Sequence, residues 1–187
     1  MTDHPPSPRR RTFALLALLV LMGSCGVAKG TQNVGSRPPG ADFATAAESV
    51  EMAEVEEELA RFSPPLRRPL AAANIVVSAL LLIAAWTVAS GRPSRLWWVT
   101  QAALANAVWT GLDAGTQVAG LFAAQDELVP LLERALAEAG SATTEVPAWM
   151  QDGHTVLYGT AAILIGHALL RLALYGAAIW LARQTQD

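Results

Sequence analysis

Residues 70–90 form a run of about twenty-one residues without a single charged side chain. At about 1.5 Å of rise per residue, a helix over that run is roughly 30 Å long, which is the thickness of a bilayer's hydrocarbon core. Two further stretches, 96–123 and 156–181, are long enough to cross and almost as poor in charge. Backbone amides have no water to bond inside lipid, so such runs must close their hydrogen bonds within helices or a closed barrel. With runs near or beyond twenty residues, the pattern predicts helices. Only 16% of the chain is charged and 52% is hydrophobic, against about 25% charged in ordinary soluble domains. The expected fold class is therefore all-α: an integral membrane helical bundle of three transmembrane helices over 69–187, preceded by an N-terminal signal or anchor helix.

That N-terminal segment, residues 1–28, has the layout of an export signal. Arg9, Arg10 and Arg11 precede an apolar run from Phe13 to Met22. A basic region followed by about ten apolar residues fits a secretory signal better than a full span. The sequence Leu21-Met22-Gly23-Ser24-Cys25 resembles a bacterial lipoprotein box, which implies acylation of Cys25 as the mature N-terminus. Met22 and Gly23 depart from the residues usual in that box. Arg10-Arg11-Thr12-Phe13 is also faintly similar to a twin-arginine signal. The bland alternative is an uncleaved anchor, because 12–28 is about seventeen residues with no charge and just long enough to span. All of these readings put the following residues on the far side of the membrane.

Residues 29–68 read as an extracytoplasmic linker, broken by Pro38-Pro39-Gly40, and then an acidic amphipathic helix over 42–62 that ends at Pro64-Pro65. Its charge has the wrong sign for anionic lipid. A second acidic segment fills the outer loop at 124–154, with a helix expected over 127–139, stopped by Gly140, and Pro130 in its first turn. Short-loop arginines set orientation. Arg9 to Arg11, Arg92 with Arg95, and Arg183 fall on one side of the zigzag, which places the C-terminus in the cytoplasm and both acidic segments outside; Arg67 and Arg68 run against this count. Scarce lysine and abundant alanine suit a bacterial inner-membrane protein of a high-GC genome.

Polar residues inside spans are costly and usually face the bundle interior. Asn106, Thr110, Asp113 and Gln117 are spaced four, three and four apart, on one stripe of a helix. Thr160, His167 and Arg171 share a stripe of the last span. Counting about 1.5 Å per residue from the outer ends levels Asp113 with His167, roughly 15 and 17 Å deep, and Asn106 with Arg171, roughly 23–26 Å deep. Ser78, roughly 12 Å deep on the same ruler, is expected beside the outer pair. A carboxylate beside His or Arg can stay charged or share a proton, so the cluster suits a proton- or ion-handling site. It equally suits interhelical hydrogen bonds that hold the bundle together. Gly159, Ala162, Gly166, Ala173 and Gly176 form a small-residue stripe, a helix-packing seam interrupted by Leu169.

The net charge of −3 and the lack of a basic stripe with interleaved aromatics exclude a nucleic-acid surface. Cys25 is the only cysteine, so no intrachain disulfide or thiolate cluster forms. There is no Walker loop, G-x-S-x-G, H-E-x-x-H or C-x-x-C. No cofactor, metal or catalytic residue is expected. The expected function is a non-enzymatic accessory or assembly subunit, whose partners are the bilayer and either a second copy or another membrane protein. The alternative is a transporter, channel or proton-relay component built on Asp113, His167 and Arg171.

Overall fold

A computed structural model describes residues 8–35, 67–141 and 152–185. The acidic helix expected over 42–62 lies outside them. The described residues form five helices and no strand: α1 Pro8–Gly35, α2 Arg67–Ala89, α3 Arg95–Ala123, α4 Gln125–Ser141 and α5 Gly153–Gln184. Three are long and apolar enough to cross a membrane, over Arg9–Thr31, Pro69–Ala89 and Gly153–Gln184. These are α1, α2 and α5, which is not the expected trio. The 29 residues of α3 are sufficient in length, but Gln101, Asn106, Asp113 and Gln117 dilute its apolar character. The N-terminal segment, in contrast, is helical well past the apolar run and past residue 29, where the linker was expected to begin.

The chain divides into two compact units. The first comprises Met1–Gly35, Arg68–Leu112 and Ala168–Asp187. Its core joins Leu15 and Leu19 of α1, Leu81, Ala84, Ala85 and Val88 of α2, Val99, Ala102 and Ala103 of α3, and Tyr175, Ala178 and Ala182 of α5. Within each helix these positions recur at intervals of three and four, the spacing that makes one buried stripe. Neighbouring helices run antiparallel. Gly23, Gly26 and Gly30 of α1 meet Leu82, Ser78 and Ile75 of α2 in descending order, while Arg95 and Thr110 of α3 meet Thr185 and Tyr175 of α5.

The turn between α2 and α3 closes as a Schellman motif. Gly91 N–H donates to Val88 O at 3.1 Å and Arg92 N–H to Thr87 O at 3.1 Å. Gly91 has φ +64°, a left-handed conformation that costs a side-chain-bearing residue energy and glycine almost nothing. Five residues thus reverse the chain, and the Arg92 guanidinium folds back over the Trp86 ring at 4.3 Å.

The second unit comprises Ser36–Arg67 and Asp113–His167. Here α4 follows α3 after the single residue Ala124, so Pro130 falls inside the helix rather than in its first turn. Ala124, Leu128, Val129 and Leu157 form a small core. Gly153 lets α5 start close against α4, since a Cβ there would lie 2.8 Å from Val129 O. Asp152 caps α5: its carboxylate accepts from His154 N at 3.1 Å, Thr155 N at 3.3 Å and Thr155 Oγ1 at 2.7 Å. The Thr155 hydroxyl bond, ahead of the two backbone bonds, holds this carboxyl below its usual value.

Candidate functional site

The best-defined polar contacts are in the first unit, between α1, α2 and α3. Asn74 and Ser78 lie one helical turn apart on α2 and are both buried. Asn74 Nδ2 donates to Gly26 O of α1 at 2.9 Å, and Ser78 Oγ donates to Asn74 Oδ1 at 3.4 Å. Gly26 makes this possible by having no side chain, because a Cβ there would lie 2.8 Å from Ser78 Cβ. One turn either way, Cβ atoms at Gly23 and Gly30 would meet Leu82 Cδ2 at 2.8 Å and Ile75 Cγ1 at 2.5 Å. The α1–α2 contact is therefore a close backbone approach along Gly23, Gly26 and Gly30. Lipid is as apolar as leucine, so such van der Waals contact and the hydrogen bonds it admits are what favour helix association in a bilayer.

Asn106 of α3 is 2% exposed. Its Nδ2 donates to Val77 O of α2 at 2.6 Å and to Ala102 O of its own helix at 2.8 Å. Both amide hydrogens are thus used on backbone carbonyls. Thr110, one turn further, is paired with the Tyr175 hydroxyl at 3.5 Å. Ser78 packs against α1 at Gly26. Arg171 is half-buried.

Asp113, Gln117, Thr160 and His167 belong to the second unit. Asp113 and Gln117 are half-buried, with Asp113 O accepting from Thr116 Oγ1 at 3.0 Å, and His167 is exposed. Thr160 turns its hydroxyl back to Val156 O at 2.9 Å. Of the small-residue stripe on α5, Gly159, Ala162, Gly166, Ala173 and Gly176 are all exposed. Apart from the adjoining turns of α5 itself, no described residue comes within 4 Å of where a Cβ would stand at Gly159, Gly166 or Gly176. Cys25 is exposed as a free thiol.

Sequence reasoning missed Asn74, Tyr175 and the glycines of α1. The last left a partial signal: Gly26 and Gly30 have small-xxx-small spacing, a mark of close helix packing, although Lys29 lies between them. Among the described residues there is no group of three or more His, Cys, Asp and Glu side chains placed to hold a metal. No family model, curated protein or solved structure matches this chain.

Proposed function

We propose that this chain is a multi-pass protein of the bacterial inner membrane whose role is assembly, and that α1 is kept as one of its spans. The observation that carries this reading is the condition of α5. It is 32 residues long and its apolar side chains are bare, with Ile163 74% and Leu169 61% exposed. Apolar surface on that scale is covered by lipid, by another helix or by both. The open glycines of the same helix favour a neighbouring helix on their side, one that divides into a 159–166 half and a 173–176 half around Leu169.

The α1–α2 contact supports retention. Cleavage before Cys25 would remove Leu15 and Leu19, both fully buried, together with Gly23. Acylation of Cys25 by the lipoprotein route requires that cut. A retained α1 starts in the cytoplasm, and the antiparallel order then brings the C-terminus back there. A relay through Asp113, His167 and Arg171 has less behind it, because Asn106 and Thr110, on the same stripe as Asp113, are taken up by Val77, Ala102 and Tyr175.

Native mass spectrometry of the protein released from mild detergent tests both parts. The expected protomer mass is that of the uncleaved chain, and the expected particle holds more than one protomer. Gly166→Leu, which puts a large side chain into the open stripe, is expected to reduce the particle to one copy. A protomer beginning at an acylated Cys25 defeats the retention of α1. A single copy both before and after the substitution defeats assembly through α5.

A further inference from the structure

We infer that one end of the first unit is a binding surface for anionic phospholipid headgroups, built from a collar of arginines and a belt of tryptophans; this rests on the membrane reading above. The antiparallel register puts the arginines together. Leu15 of α1, Val88 of α2, Val99 of α3 and Ala182 of α5 belong to one buried cluster. Arg11, Arg92, Arg95 and Arg183 each lie within four residues of one of these, on the same side of it, and Arg9 and Arg10 extend α1 beyond. Arg95 also donates to Thr185 O, which ties the start of α3 to the end of α5.

Three observations point to a lipid phosphate. The first is charge. The described residues of this unit include no Asp or Glu at all, whereas every described acidic residue lies in the second unit. The arginine collar therefore has no carboxylate of its own unit, among the described residues, to neutralise it. Lys29 and Arg68 sit at the opposite end and Arg171 between, so the six collar arginines outweigh the rest of the unit. The second is aromatic. Trp86, Trp97 and Trp180 are each more than half exposed, within a few residues of Arg92, Arg95 and Arg183. Trp98 meets Trp97 edge to face with centroids 5.0 Å apart. Tryptophan with an apolar body and a polar N–H settles at headgroup level. The third is a donor: Arg11 Nε is buried and has no hydrogen-bond partner among the described residues. A planar guanidinium offers forked donors to phosphate oxygens, and anionic headgroups attract such cations at the cytoplasmic surface.

The test uses the full chain reconstituted into phosphatidylcholine vesicles that contain equal mole fractions of either dibrominated phosphatidylcholine or dibrominated phosphatidylglycerol. Bromines quench tryptophans they touch, so the ratio of quenching reads relative occupancy. The expected preference for phosphatidylglycerol is roughly fivefold or more at low ionic strength. It should fall towards unity in about 1 M salt, where the screening length is only about 3 Å. Arg92→Gln with Arg95→Gln should lower it in the same direction. Equal quenching by the two lipids, or a preference that neither salt nor the substitutions change, overturns the headgroup site while leaving the membrane reading intact. Quenching by neither lipid, with the protein left in the aqueous phase, overturns both.

Discussion

Gly26→Ala is expected to destabilise the protein by about 1–3 kcal/mol, the range for forcing an extra methyl into a packed contact. The same change at Gly111 should be neutral or favourable by up to about 1 kcal/mol, because alanine is the better helix former. Both glycines sit inside long helices, so propensity alone makes the same forecast for both. Their surroundings differ. A Cβ at Gly111 meets nothing within 4 Å, whereas at Gly26 it comes within 2.8 Å of Ser78 Cβ. Ser78 Cβ is fixed to the α2 backbone and cannot swing aside as the tip of a long side chain would. The two helices must separate, and separation stretches the 2.9 Å bond from Asn74 Nδ2 to Gly26 O. Ser78→Gly removes the obstructing atoms and is expected to recover most of the loss in the double variant. Unfolding in mixed micelles, followed by tryptophan fluorescence, measures all four proteins. Equal effects of alanine at positions 26 and 111 would show that α1 does not pack on α2 through this glycine.

The helices were legible in the chain because apolar run length maps directly onto helix length, and α2 and α5 lie where those runs predict. The N-terminal segment carries a real ambiguity. Three arginines followed by a short apolar run serve an export signal and a structural helix alike, and the residues that separate the two meanings are glycines, whose role depends on what lies opposite. For α3 the polar residues were seen as a stripe, but they were not weighed against the helix's overall apolarity. The bond from Asn106 to Val77 could not be read from the sequence for a geometric reason. Counting residues along two helices compares their depths and leaves the rotation of each about its axis undetermined. Asn106 turns towards Val77 of α2, a backbone carbonyl that no side-chain pattern marks. The small-residue stripe of α5 shows the converse: periodicity identifies a shared face, and only the structure shows that no described residue covers it.

Asn106 carries the largest single effect expected of a side chain in this protein, and it depends on chemistry more than on size. Asn106→Leu removes an interhelical hydrogen bond, worth about 0.6 kcal/mol on average and up to about 1.7 kcal/mol inside membranes. It leaves Val77 O and Ala102 O with their helical amide partners, so neither carbonyl is stranded. Asn106→Asp keeps the shape but exchanges a donor for an acceptor. A carboxylate oxygen would then face two carbonyl oxygens at the 2.6 and 2.8 Å now spanned by hydrogen bonds. The site is 2% exposed, so water cannot intervene. A carboxylate taken out of water without a partner already costs several kcal/mol, and the facing carbonyls add to that. The aspartate variant should therefore be less stable than the leucine variant by about 2 kcal/mol or more, and a smaller fraction of it should reach a protease-resistant, membrane-inserted form. The two substitutions rank by polarity only if the amide hydrogens of Asn106 point at carbonyls. A leucine variant as damaged as the aspartate variant would mean that Asn106 acts by filling space, and its bond to Val77 would lose its claim to hold α3 on α2.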